Sequence, residues 1–189
     1  MTLFRTVAPA VEPVTLSEAR AHMRLDHDSE GDLIAGLIRA AREEVERSTG
    51  LALIEQSWRL VLDAWPQDEP VLLKKGPVRA IHGVTVYGRE GEAQAMAVEK
   101  LVADTNSTPA RLFLTKRPKP DVMINGIEID FSAGFGESGA DVPDLLKRAI
   151  LLLVAHWYEF RGAVRADQQP VSLPDSYRQL IASFREVRL

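Results

Sequence analysis

The chain has 189 residues, 46% hydrophobic and 26% charged, and its 23 basic and 27 acidic side chains leave a net charge of −4. These are the proportions of a water-soluble globular protein, and the acidic balance excludes one that clamps duplex DNA over its whole surface by counterion release. With no cysteine there is no disulfide framework, thiolate metal cage or cysteine nucleophile, which fits a cytoplasmic or intracellular setting.

The segment Met1 to Val14 holds Pro9 and Pro13 and no continuous apolar run, so it reads as an extended arm and not as a signal peptide. Thr15-Leu16-Ser17-Glu18 has the pattern of a capping box, with Leu16, Ala19 and Met23 at helical spacing behind it. The acidic stretch Asp26 to Asp32 ends this helix and offers Asp28 and Ser29 as N-caps for a second. In that second helix Leu33, Ile34, Leu37, Ile38, Ala41 and Val45 recur at steps of three and four, with charged residues opposite. Gly50 supplies the expected left-handed C-terminal cap.

The period then changes to alternation. Ile54, Trp58, Leu60 and Leu62 share one side of a strand, and further strands are expected at Val71 to Leu73, Val78 to Tyr87, Ala93 to Val98, Arg111 to Thr115 and Ile127 to Ser132. Gly88 to Gly91 reads as a hairpin tip. Closely spaced strands without intervening helices predict an antiparallel sheet.

A third helix is expected from Pro143 to Gly162. Its apolar residues, among them Leu145, Leu146, Ile150, Leu152, Leu153 and Trp157, cover nearly the whole circumference, so more than one side must be covered by the chain or by a neighbouring subunit. Ala163 to Leu173 reads as a loop, and Pro174 opens a last helix carrying Tyr177, Leu180, Ile181 and Phe184. The fold class is therefore α+β: about four helices in a core, with an antiparallel β subdomain inserted between the second and third. The corresponding division is 1–50, 51–142 and 143–189. Charge is uneven along the chain, with five basic against nine acidic residues in 12–50 and seven against four in 145–189.

No constellation carries chemistry. Asp26, Asp28, Glu30, Gly31 and Asp32 imitate the start of a calcium loop, but Leu37 stands where its closing glutamate belongs. Gly134 to Gly139 matches G-x-G-x-x-G formally; the helix, however, begins too late to meet a pyrophosphate, and Glu137 would repel one. His22, His27, His82 and His156 are scattered, and His156 reads as a hydrogen-bonded core residue. No serine has an evident base, and Glu43 and Glu44 point to different sides of a helix. The expectation is no catalytic residue, no cofactor and no metal, and no apolar stretch approaches the roughly 20 residues that span a bilayer. At the end of the third helix Trp157 and Phe160 read as packing residues, whereas Tyr158 and Arg161 have the character of interface contacts.

Ordered phrases add a resemblance. Pro13-Val14-Thr15-Leu16-Ser17-Glu18-Ala19, His22 to Asp26, the Leu33 to Gly50 helix ending Glu46-Arg47-Ser48-Thr49-Gly50, and Gln56-Ser57-Trp58 resemble the head-tail connector, or adaptor, family of tailed phages. Ser132 to Gly136, Val142-Pro143, Leu146 to Ile150, His156 to Glu159 and Leu173-Pro174 resemble the same family's closing helices. Gene transfer agents, which are domesticated phage particles, encode adaptors of this type. The resemblance implies a structural, non-enzymatic ring of about twelve copies under the portal, in the neck of a particle assembled in the host cytoplasm. The ring would continue the DNA channel without sequence-specific binding, with a portal protein on one side and a tail-completion (stopper) protein on the other. It further implies portal contacts through the C-terminal segment, here Tyr177, Arg178, Ile181, Phe184, Arg185, Val187, Arg188 and Leu189. Subunit contacts are expected at Trp157, Tyr158 and Arg161. The competing reading is a DNA-packaging component that binds nucleic acid through its basic C-terminal helices.

Overall fold

The computed structural model describes residues 1–27, 29–67, 69–97, 101–163 and 173–185. The chain divides into two compact units, one made of Met1–Ala10 and Glu55–Phe135, the other of Val11–Ile54 and Gly136–Leu189.

The first unit is all β and antiparallel. Strands β1 (Thr2–Val7), β2 (Gln56–Leu62), β3 (Val71–Leu73), β4 (Val78–Tyr87), β5 (Ala93–Met96), β6 (Leu101–Asp104), β7 (Ala110–Leu114) and β8 (Ile127–Ala133) form two sheets. One has the order β1-β2-β8-β4-β5 and the other β3-β7-β6. β8 is the central strand of the larger sheet, and its Ile127, Ile129 and Phe131 are fully buried. On its other face the register sets Arg59 opposite Asp130. Arg59 grips Asp130 through two hydrogen bonds of 2.7 and 2.9 Å and Glu128 at 2.8 Å, while the Tyr87 hydroxyl donates to Glu128 at 3.1 Å. A bidentate guanidinium–carboxylate pair of this kind locks register as well as adding attraction. Between β4 and β5 the Gly88 amide donates to the Glu92 carbonyl at 3.0 Å, and Gly91 takes a positive φ of 84° in the expected tip.

Two strands were absent from the expected set. Met1 to Val14 is not simply an extended arm, because Thr2–Val7 is a sheet strand paired with β2. It is exposed on both faces, so it lacks the alternation that would have announced it. β6 is four residues long and is defined by its pairing with β7. The expected strand at Ala93 to Val98 ends at Met96, and Val98 lies outside the described residues.

The second unit is helical: α1 (Leu16–Met23), α2 (Gly31–Thr49), α3 (Asp144–Ala163) and α4 (Asp175–Ile181). α1 begins with the expected capping box. The Thr15 hydroxyl accepts from the Glu18 amide at 3.2 Å, and the Glu18 carboxylate accepts from the Thr15 amide at 2.7 Å. The bond from the Thr15 amide first, and then one that the Thr15 hydroxyl donates to the same carboxylate at 2.7 Å, hold the Glu18 carboxyl below its usual pKa. α2 ends at Gly50, whose φ of 78° and 3.1 Å bond to the Glu46 carbonyl make the left-handed cap. The start of α2 differs from the expectation: Glu30 is the N-cap residue but makes no side-chain capping bond, and the Ser29 hydroxyl meets His27 Nδ1 at 2.9 Å. Asp28 lies outside the described residues.

α1, α2 and α4 all pack on α3. The core of the unit is formed by Ile34, Ile38, Ala41 and Val45 of α2, Leu146, Ala149, Ile150, Leu153 and Val154 of α3, and Leu53 and Ile54 beyond α2. Leu33 and Leu37 do not join that face. Leu33 is 42% exposed and Leu37 is half-buried, so α2 carries its apolar residues on two sides.

A charged group is buried within this core. Arg42, 3% exposed, donates to Glu12 at 2.8 Å and to Glu46 at 3.0 Å, with Glu43 at 3.5 Å. Burial disfavours the guanidinium charge, but these three carboxylates outweigh it and raise its pKa. The second oxygen of Glu46 accepts from the Leu53 amide at 2.9 Å, so one side chain ties α2 to the chain that leaves it. The glycine-rich run also has a packing explanation. A Cβ on Gly136 would stand 2.3 Å from the Asp141 carboxylate, and one on Gly139 would stand 2.5 Å from the Pro13 carbonyl. The Asp141 carboxylate accepts from the amide and hydroxyl of Ser138, both at 3.0 Å, and caps the 3₁₀ turn Gly139–Asp141.

Candidate interaction surfaces of the helical unit

α3 is where the sequence left apolar area to be covered, and the structure shows how much its own chain covers. Leu146, Ala149, Ile150, Leu153 and Val154 are sealed in the core. α4 lies against part of what remains. Pro174 starts α4 by accepting from the Tyr177 amide at 3.0 Å, and the short helix reaches only to Ile181 before a 3₁₀ turn at Ala182–Phe184. Between the two helices a groove of about 370 Å³ stays open, lined by Leu145, Arg148, Leu152, Ser176, Gln179, Leu180 and Ser183. Leu145 is 48% exposed at its mouth.

The residues expected to touch a portal fall into three groups. Tyr177 and Ile181 are buried in the helical unit, so in this state they anchor α4 and present no surface. Burial is the main cause that pushes the Tyr177 phenol upward, against the opposing influence of Ser48. Arg178 and Arg185 are exposed and Phe184 is half-buried, leaving a cationic and partly apolar edge; Arg178 stands 3.8 Å from Asp175. Val187, Arg188 and Leu189 lie outside the described residues.

The residues expected between subunits occupy the last two turns of α3. Trp157 is half-buried. The Tyr158 hydroxyl hydrogen-bonds to the Glu30 carboxylate of the same chain, fastening α3 to the start of α2. Arg161 belongs to the last turn of the helix. His156 departs from the expectation: its ring stacks at a tilt on Phe160, with centroids 4.5 Å apart, and Nε2 has no hydrogen-bond partner among the described residues. Sequence reasoning marked Leu145 and Leu152 as apolar residues needing cover but did not single out the line they form with Arg148, whose i, i+3, i+7 spacing was the available signal.

Among the described residues no three histidine, aspartate or glutamate side chains converge as a metal site, and no helix is long and apolar enough to cross a membrane. The longest apolar helix of the helical unit is thus only partly covered by its own chain. Residues 13–115, more than half of the chain, match the family described as phage gp6-like head-tail connector protein, and the chain belongs to that family. No curated protein is matched.

Among solved structures, three similar chains each align with all of this chain and with 97% of their own length. One is in the virion of a native gene transfer agent (GTA) particle, at 28% identity and a TM-score of 0.82. Another is in the neck of an empty GTA particle computed with C6 symmetry, at 30% and 0.81. The third is in the neck of a native GTA particle computed with C12 symmetry, at 29% and 0.75.

Proposed function

We propose that this chain is a structural head-tail connector, an adaptor in the neck of a phage or gene transfer agent particle. It forms a ring under the portal, joins the portal to a tail-completion protein and continues the DNA channel. The observation that carries this reading is the whole-chain likeness to chains in GTA particles, two of them from necks solved with rotational symmetry. Six- and twelvefold symmetry in those necks supports a ring of twelve copies, and a head-to-tail contact that closes by rotation is the economical way to build one.

The role is non-catalytic. Arg178, Phe184 and Arg185, with Val187, Arg188 and Leu189 beyond them, form the portal-binding segment, and Tyr177 and Ile181 hold its base. Each such contact is weak by itself and is multiplied around a ring by effective concentration. The end of α3, with Trp157, Tyr158 and Arg161, contributes to contacts between subunits, Tyr158 by fixing that end against Glu30. The architecture is a helical core interrupted in sequence by a β subdomain, with Val11–Ile54 and Gly136–Leu189 on the helical side and Met1–Ala10 and Glu55–Phe135 on the β side. Supporting it, β2 to β8 all follow α2 and precede α3, while β1 joins from the N-terminal side.

Deleting residues 184–189 tests the portal assignment. The shortened chain is expected to keep its circular dichroism spectrum and to lose co-sedimentation with portal; undiminished co-sedimentation would refute the assignment.

A further inference from the structure

α2 carries a second apolar face that the chain covers only in part. Leu33, Gly36, Leu37 and Ala40 follow each other at i, i+3, i+4 and i+7 and line up along one side of the helix. Leu33 and Ala40 are exposed, and Gly36 and Leu37 are half-buried. Gly36 is the informative member. Glycine is a poor residue for a helix interior, and nothing among the described residues requires it here: a Cβ would meet only the tip of Arg39, at 3.8 Å. Elsewhere in this unit glycines are required by close neighbours, as at Gly136 and Gly139. A glycine flanked by two leucines and an alanine on an outward face permits close approach by something outside the protomer.

The open groove between α3 and α4 has the matching dimensions. Its floor on α3, Leu145-Arg148-Leu152, repeats the i, i+3, i+7 spacing of the α2 ridge, so both run about 10 Å along their helix axes. The charges also match. Asp32 borders the ridge and Arg148 lines the groove; both are exposed, and neither has an ion pair among the described residues. We propose that the Leu33–Ala40 ridge of one copy seats in the α3–α4 groove of a second copy, ridge into groove, with Asp32 toward Arg148. Ridge and groove are different surfaces, so the contact is heterologous and repeats around a ring. The inference rests on the ring reading above and adds the surfaces that make it.

The absence of cysteine makes the test clean. Leu33→Cys paired with Leu145→Cys, and Leu33→Cys paired with Leu152→Cys, cover the two possible directions of the seated helix. Under mild oxidation one of the two double variants is expected to give a ladder of multimers up to the closed ring. Each single variant alone should stay monomeric, and a mixture of the matching single variants should stop at the dimer. In the cross-linking background Gly36→Ala is expected to raise the melting temperature of the monomer yet lower ladder yield by about tenfold, because the added methyl helps the helix and overfills the contact.

Rings trapped from the unmodified chain by amine cross-linking, with no ladder from either cysteine pair, would overturn the ridge and groove and leave the ring standing. Single variants that cross-link as well as the doubles, or Gly36→Ala without effect on the ladder, would also overturn it. If the unmodified chain gives no multimers by any route, in the presence of portal as well as alone, the ring reading fails and this inference fails with it.

Discussion

Arg42→Met is the most informative change inside the helical unit. In the native chain the guanidinium sits 2.8 Å from Glu12 and 3.0 Å from Glu46, almost out of contact with water. At an effective dielectric near 20 each contact carries a gross attraction of roughly 5 to 6 kcal/mol, most of it offset by the desolvation of the charges. Methionine fills the volume but leaves Glu46, itself 5% exposed, as a buried carboxylate that has lost its guanidinium partner. Breaking a buried pair in this way costs about 3–5 kcal/mol, which for a chain of this length lowers the melting temperature by roughly 6–20 °C. Glu46→Gln is expected to cost less, about 1–2 kcal/mol, because the amide oxygen still accepts from Leu53 and Arg42 keeps Glu12. Combining Arg42→Met with Glu46→Gln should recover part of the loss by removing the stranded charge. Urea unfolding followed by far-ultraviolet circular dichroism measures all three. An Arg42→Met loss below about 1 kcal/mol, or a Glu46→Gln loss exceeding it, would refute the reasoning.

The α1 capping box supplies a pH dependence of known sign. Because Glu18 is depressed below its ordinary value by its bonds to Thr15, the cap's contribution is present above the unfolded pKa and disappears as pH falls through the folded one. Thr15→Ala should therefore cost about 1 kcal/mol at neutral pH and progressively less in acid below the ordinary glutamate range; a pH-independent difference between the two chains would contradict the assignment. Leu153→Ala opens a cavity in the fully buried centre of α3 and is expected to cost 2–5 kcal/mol by the same denaturation assay, whereas Leu145→Ala, at the mouth of the groove, should cost far less. Equal losses for the two would contradict the assignment of which face of α3 its own chain covers.

Features decided by neighbouring residues were legible before the fold. Thr15 and Glu18, Gly50, the tip at Gly88 to Gly91 and the limits of β3 and β4 follow from local capping, turn and alternation chemistry, which needs no tertiary partner. Features decided by distant pairing were not. β1 has no apolar face of its own, and β6 owes its state to β7. Periodicity marked Leu33, Leu37, Leu145 and Leu152 as apolar but could not say which side of each helix the chain would cover. The same limit applied to Tyr177 and Ile181, whose helical spacing fitted a docking segment as well as a buried anchor. Their burial leaves Arg178, Phe184 and Arg185 as the exposed or half-buried residues of that segment. The glycine run after β8 was legible as a turn, but the reason for two of its glycines, the approach of Asp141 and Pro13, lies in packing.

Electron microscopy of the purified chain mixed with its portal is the most direct measurement. The account predicts a closed ring of twelve copies on one end of the portal, with an open axial channel wide enough for duplex DNA. Particles in which the portal is bare, or decorated by scattered single copies without rotational symmetry, would contradict it.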